Sequence, residues 1–265
     1  MKVLIIGRGR VGNALKRSLK SSGLHTVTTA GRRFKPLSVR AADAVVLAVP
    51  DDAIETVARS IAPHLSPRAT VLHCAGARGT DALRTCEAQG AEVGVMHPLV
   101  SFPSTGRNPN LRSTSFTVNG SPRAIAVSKR IAKACGARVV VAQTGDAGYH
   151  AAAALAANGA AALAFVSVHV LESLGFDKRA AERAIGGLLQ SVGQNVQSLG
   201  VPGALTGPIV RGEAEAVATH RKALRRVSRD ALSAYDALVP VIVRCARAAG
   251  LTRVEASNIL RMTKR

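Results

Sequence analysis

The first 145 residues alternate short apolar runs with helical patterns. The run at 45–49 is apolar without alternation, as in a strand that helices cover on both faces. This rhythm predicts βαβ units and a mostly parallel sheet. We predict strands at 2–6, 25–29, 44–49, 69–73, 92–96, 115–118 and 137–141, and helices at 11–20, 53–62 and 122–134.

The pattern changes near Thr144-Gly145, after which no β-branched run bounded by turns occurs. Longer helical stretches follow, with breaks at glycine and proline. The chain is therefore predicted as an α/β domain in residues 1–145 and a separate all-helical domain in residues 146–265. The predicted helices of the second domain are 147–174, 178–199, 212–227, 228–249 and 253–262.

No charged residue lies between Asp146 and Glu172, which is enough length for a helix to cross a bilayer. The segment is rich in alanine and includes the polar side chains of His150, Asn158 and His169, which are costly in hydrocarbon. We therefore expect no membrane span here, and predict a buried central helix of the second domain.

Composition narrows the possible partners. An apolar fraction of 47% is typical of a globular chain, and a net charge of +20 favours anionic ligands. The basic residues are scattered, and the chain has no Trp, 2 Tyr and 5 Phe, so stacking surfaces for nucleic acid are nearly absent and nucleic-acid binding is disfavoured.

The 4 cysteines have no paired or metal-ligand spacing, so neither a metal site nor a redox dithiol is predicted. Met1-Lys2 leads directly into the first predicted strand, without the long apolar region of a secretory signal. We therefore expect a cytoplasmic protein.

A G-x-G-x-x-G motif follows the first strand and opens the first helix. In this context the first glycine permits a tight turn, the second lets a pyrophosphate approach the backbone, and the third allows the helix to pack closely on the strand. The helix N-terminus supplies free N–H groups and a partial positive charge. The motif predicts a Rossmann-like dinucleotide-binding domain whose cofactor contacts include Gly7, Arg8, Gly9, Arg10, Val11 and Gly12.

The end of the second strand indicates which dinucleotide binds. NAD-binding proteins place an acidic residue about 20 residues after the motif, to hold the ribose 2′-hydroxyl. Here no carboxylate occurs between Gly12 and Asp43, and Arg32 and Arg33 follow the strand. Guanidinium groups form charge-assisted bonds with phosphate, so the sequence favours NADP(H) over NAD(H).

Further cofactor contacts are expected from loops at the carboxyl ends of the strands, where ligands of such sheets bind. Val49, Pro50 and Asp51 follow the third strand, and His73 ends the fourth. Asp51 or Asp52 is also predicted to cap the next helix.

Several motifs are spread over nearly the whole chain: residues 5–12, 47–54, 73–76, 97–99 with Phe102, 149–153, Asn158 and 205–213. Together they resemble a known family of Rossmann-like proteins with a helical C-terminal domain of formerly unknown function, within the 6-phosphogluconate-dehydrogenase-like superfamily. Two positions depart from the family pattern: Ala75 replaces a serine, and Glu213 stands where aspartate is common.

The resemblance implies a nicotinamide-dependent reductase or dehydrogenase, similar to ketopantoate reductases. Reduction of a carbonyl also needs a proton donor and a group that orients the substrate. His150 is the first candidate donor, and Asn158 lies two helical turns further on the same face. His97, before Pro98, is predicted either to face the nicotinamide or to anchor the cleft.

The turn at 206–212 feeds a helix, so Thr206 and Arg211 are candidates for binding a substrate carboxylate. The expected activity is NADPH-dependent reduction of a small anionic carbonyl acid, such as the 2-oxo acid ketopantoate. The alternatives are an imine reductase of the pyrroline-carboxylate type, a non-catalytic NADP-binding regulatory protein, or a basic nucleic-acid binder. The amount of apolar helix in the second domain predicts a homodimer.

Overall fold

The computed structural model describes residues 1–23, 26–31, 34–143 and 145–263. His25, Arg32, Arg33 and Thr144, which enter the sequence predictions, lie outside the described residues. The chain divides into two compact units, Met1–Ala154 (unit 1) and Leu155–Arg265 (unit 2).

Unit 1 is built on one seven-stranded sheet of order β2-β1-β3-β4-β5-β6-β7. The chain moves from β1 to β2 and then crosses back over β1 to β3, so the carboxyl ends of β1 and β3 flank the point where the order reverses. The strands are β1 Lys2–Ile6, β2 Thr26–Ala30, β3 Ala44–Leu47, β4 Thr70–His73, β5 Glu92–Leu99, β6 Ser115–Gly120 and β7 Arg138–Val141.

All seven predicted strands are present, and the prediction of a mostly parallel sheet is confirmed. The exception is β6, which runs antiparallel to β5, with His97 opposite Thr117. The segment between these two strands contains no helix, so β6 returns alongside β5 instead of crossing over the sheet. β7 is then parallel to β6.

Helices cover both faces of this sheet, and each face has its own apolar core. β1 and β3 are buried on both faces, which explains why they read as continuous apolar runs. Phe116 is the largest fully buried side chain, in a core that is otherwise mainly aliphatic. The helices are α1 Arg10–Ser22, α2 Pro36–Arg40, α3 Ile54–Ile61, α4 Arg84–Glu87 and α5 Pro122–Ala134.

Unit 2 is helical, as predicted. Its core joins α8, α9 and α10 through side chains such as Val217, Val239 and Ile259. Arg221 of α8 is buried against this core, where its guanidinium donates to both carboxylate oxygens of Asp236 at 2.7 and 3.0 Å. The remaining helices are α6 Ala147–Ser173, which begins in unit 1, α7 Lys178–Leu199, α8 Ala214–Val227, α9 Arg229–Ala248 and α10 Arg253–Met262.

The prediction that α6 is a buried central helix is wrong for the single chain. None of its residues is buried, and Leu155 and Phe165 are 78% and 76% exposed. An apolar helix pattern predicts that the helix is shielded from water, but it does not show which part of the chain or which other molecule shields it. The core of unit 2 is formed by α8, α9 and α10. Among the described residues, α6 is the one helix long and apolar enough to cross a membrane.

Candidate functional site

The turn between β1 and α1 is tightly packed at two of its three motif glycines. Gly7 has a φ of 125°, and a Cβ there would lie 2.0 Å from the carbonyl oxygen of Ala48. A Cβ on Gly12 would lie 2.2 Å from the carbonyl oxygen of Gly7. At Gly9, by contrast, no atom of a described residue other than its two chain neighbours lies within 4 Å of the Cβ position, so the turn is open at that residue. Gly7 and Gly12 are needed because backbone atoms occupy the space that a side chain would take. Gly9 instead leaves open space for a ligand.

The N-terminus of α1 is chemically free to receive an anion. Gly9 is the N-cap and supplies no side-chain cap, and the first turn contains no acidic residue. The first helical bond to the turn is from Asn13 N–H to Gly9 O, at 2.9 Å. The N–H groups of Arg10, Val11 and Gly12 make no hydrogen bond with any described residue. Unpaired N–H groups and the positive end of the helix dipole together favour phosphate.

The two arginines of the turn behave differently. Arg10 donates to the carbonyl oxygens of Pro103 and Ser104, and at 3.4 Å to that of Phe102, so its guanidinium fastens the segment after β5. Arg8 is exposed, and its Nε lies 4.0 Å from the Cβ position of Gly31, at the end of β2. Arg8 therefore lies near the carboxyl end of β2.

The loop after β3 reaches the same edge of the sheet. Val49 is half-buried, whereas Pro50 and Asp51 are exposed. The predicted cap by Asp51 or Asp52 is wrong, because both residues lie within a 3-10 turn and neither makes a side-chain capping bond. Helix α3 starts only at Ile54, with Ala53 as its N-cap.

His73, at the end of β4, is fully buried and holds the loop that follows. Its Nδ1 accepts from the Ala75 N–H at 3.2 Å, so the proton is on Nε2, which donates to Gly79 O at 2.9 Å. Burial lowers the pKa of His73, which keeps the ring neutral. Because both nitrogens are used, His73 fixes the loop from Ala75 to Gly79, and any cofactor contact from this residue would have to come from its backbone.

His97 extends beyond the end of β4, because β5 is longer than its neighbour. Its Nδ1 lies 2.7 Å from the hydroxyl of Tyr149, and the two rings meet edge to face. The imidazole also packs on Gly76, where a Cβ would lie 2.7 Å from Cε1. Burial is the main cause that lowers the pKa of His97, followed by the nearby His150. Burial also raises the pKa of the Tyr149 phenol.

The start of α6 brings Tyr149 to this edge. The Gly145 N–H donates to Gly76 O at 3.3 Å, so the segment before the helix lies against the loop that His73 holds. Tyr149 was not among the predicted site residues, whereas its neighbour His150, which was predicted, is exposed. A signal was available, because Tyr149 is one of only 2 tyrosines in the chain.

The remaining predicted site residues belong to unit 2. Asn158 and Thr206 are exposed. Arg211 is also exposed, and its guanidinium pairs with Glu213, with Nη2 and Oε2 3.1 Å apart. Their roles in substrate binding stay predictions. Among the described residues, no group of three or more His, Cys, Asp or Glu side chains is placed to hold a metal ion.

Comparisons with known proteins agree with this architecture. A family described as a domain of unknown function, DUF2520, matches residues 114–241. No curated protein matches the sequence.

Solved structures match over nearly the whole chain. A Thermotoga maritima protein is 23% identical, with 93% of this chain and 99% of that chain covered and a TM-score of 0.65. A Plasmodium falciparum pyrroline carboxylate reductase with NADP bound is 13% identical, covering 99% and 98%, with a TM-score of 0.64. A Streptomyces aurantiacus imine reductase is 15% identical, covering 100% of each chain, with a TM-score of 0.61. Similarity at these identities shows a shared fold.

Buried His73 and half-buried His97 predict a loss of stability in acid. Burial lowers the folded-state pKa of His73 and His97 below the ordinary value of 6.5, so below about pH 6.5 the unfolded chain binds more protons than the folded one. The free energy of unfolding should therefore fall between pH 7.5 and pH 5, as measured by urea denaturation. The fall should be smaller in His73→Gln, and an equal fall in the variant and the wild type would contradict the assignment.

Proposed function

We propose that the chain is an NADP(H)-dependent oxidoreductase that reduces a small carbonyl acid. The observation that carries the proposal is the pairing, on one edge of the unit 1 sheet, of an open dinucleotide turn with a phenol that is hydrogen-bonded to an imidazole. The first feature suits a pyrophosphate, and the second suits a proton transfer.

The β1–α1 turn fits a dinucleotide on the evidence of its own atoms. The space at Gly9 and the unpaired N–H groups of Arg10, Val11 and Gly12 would receive the pyrophosphate. When bound, NADPH supplies the hydride of the reaction. Arg8, together with Arg32 and Arg33, would hold the 2′-phosphate. The NADP bound to the Plasmodium falciparum reductase supports this choice of cofactor.

Tyr149 is the proposed proton donor. Its raised pKa keeps the phenol protonated at neutral pH, so it enters the reaction as an acid. We propose that neutral His97 carries its proton on Nδ1 and donates to the phenol oxygen, which leaves the phenol proton free for transfer to the substrate oxygen. The same bond stabilises the phenolate left after the transfer. His97 is thus a positioning residue for Tyr149.

An imine reductase is the second candidate. It is favoured by the similarity in fold, over the whole chain, to the Plasmodium falciparum pyrroline carboxylate reductase and the Streptomyces aurantiacus imine reductase. A substrate imine that is already protonated would need the phenol less than a ketone does. The two activities therefore differ in their dependence on Tyr149. Similarity to ketopantoate reductases stays a prediction.

The cofactor proposal predicts a preference for NADPH that depends on Arg32 and Arg33. Each charge-assisted hydrogen bond contributes about 1.5–3 kcal/mol, so Arg32→Ser with Arg33→Ser should weaken NADPH binding at least about tenfold and leave NADH binding unchanged, by calorimetry. Arg123→Ser with Arg130→Ser is the matched control, because it removes the same charge from exposed positions on α5. Equal wild-type affinity for NADPH and NADH would refute the proposal.

The proton-donor proposal predicts different effects for two adjacent residues. With a panel of oxo acids and cyclic imines, Tyr149→Phe should lower kcat for an oxo acid by about 10²–10⁴-fold, with NADPH affinity unchanged. His150→Ala should lower it less, since His150 is exposed and only modulates the charge near His97. A larger loss in His150→Ala would return the donor role to His150. If the enzyme reduces only cyclic imines, and Tyr149→Phe does not change the rate of that reaction, the imine reductase would be favoured.

We also propose that a second copy of the chain covers the exposed part of α6. On α6, Leu155 and Phe165 are 78% and 76% exposed, and Leu188 of α7 is 61% exposed. An apolar groove of about 500 Å³ lies between α6, α7, α8 and α9. The part of α6 that belongs to unit 2, residues 155–173, is about 28 Å long. Its exposed face and the groove offer an extended apolar surface for a partner, and a stable dimer needs roughly 800 Å² per partner.

Light scattering should therefore give the mass of a dimer for the wild type and of a monomer for Phe165→Glu. Val254→Glu is the control, because Val254 is 70% exposed on α10, away from the groove. A monomeric wild type would be incompatible with a dimer formed by this helix. Binding of the wild type to lipid vesicles through α6, measured by co-flotation, would be incompatible with it as well.

A further inference from the structure

Unit 2 contains a basic cleft between α9 and α10, defined by Arg244, Arg247, Arg253, Arg261 and Ser257. The volume of the cleft is about 430 Å³, and three aliphatic side chains complete its lining. This volume lies within the range of small-molecule sites in proteins. The cleft is separate from the β1–α1 turn, which belongs to unit 1.

Among the residues that the structure describes, no carboxylate lines the cleft. The acidic residue of α10, Glu255, is used elsewhere, because its Oε2 accepts from the Thr252 N–H at 2.8 Å in the capping box of that helix. Asp236 is similarly held by Arg221 of α8. Within the described parts of the chain, none of the four arginines of the cleft forms an ion pair.

The four guanidinium groups divide into two fixed and two free. Arg247 donates to Leu251 O at 2.7 Å, and Arg261 donates to the side chain of Asn258. Arg244 and Arg253 are exposed and form no hydrogen bond with a described residue. The fixed pair gives the cleft a defined positive wall, and the free pair has all of its donors available to a ligand.

Four like charges around one cavity repel each other, and an anion in the cavity removes that repulsion. Guanidinium groups bind phosphate through two parallel hydrogen bonds, and the Ser257 hydroxyl can add another. We propose that the basic cleft binds a small, soluble anion that carries two or more linked phosphate groups. This site is additional to the proposed NADP(H) site.

Calorimetry with inorganic pyrophosphate tests the proposal. Arg244→Gln with Arg253→Gln should weaken binding at least tenfold, since both free guanidinium groups are lost, while the fixed pair and the fold remain. Arg225→Gln with Arg226→Gln is the matched control, because it removes the same charge from exposed positions on α8 that do not line the cleft. The control should bind as the wild type does.

Three outcomes would overturn the proposal. Unchanged affinity in Arg244→Gln with Arg253→Gln would place pyrophosphate elsewhere, for example at the β1–α1 turn. An equal loss in the control would show a response to net charge alone. Binding of a short DNA duplex or of anionic lipid vesicles that depends on Arg244 and Arg253, with no binding of pyrophosphate, would assign the cleft to a nucleic acid or a membrane surface.

Discussion

The close approach of Gly7 to Ala48 is the contact on which the functional edge of unit 1 depends. The backbone of the β1–α1 turn touches the end of β3 so closely that neither Gly7 nor Gly12 has room for a side chain. The first N–H groups of α1, which follow this contact, have no hydrogen-bond partner among the described residues. The same contact joins the dinucleotide turn to the loop of Asp51, so the two parts of the edge form one continuous surface.

From that loop the edge continues through a chain of specific bonds. His73 fixes the loop up to Gly79. The carbonyl of Gly76 in that loop accepts a hydrogen bond from the Gly145 N–H. Helix α6 starts just after Gly145 and places Tyr149 against His97. Each bond joins segments that are distant in sequence. The two histidines therefore have different roles: buried His73 organises the backbone, and half-buried His97 is bonded to the phenol that we propose as the acid.

Much of the fold could be predicted because strands buried on both faces leave continuous apolar runs, and helix ends leave glycine or a capping residue. The direction of β6 was not predicted, since it depends on how the chain returns after β5. The turn glycines were recognised from local spacing, whereas Tyr149 was missed because its bond to His97 spans 52 residues. The exposure of α6 was not predicted either, because an apolar pattern does not show which part of the chain or which partner buries a helix.

The exposed apolar surface of α6 would make the stability of the purified protein depend on its concentration. If a second copy supplies the cover, the native state is favoured by mass action, and its melting temperature rises with the amount of protein present. Dilution would then dissociate the dimer, expose the alanine-rich helix α6 to water and promote aggregation of the dissociated chains. Purification at high concentration would preserve the native assembly.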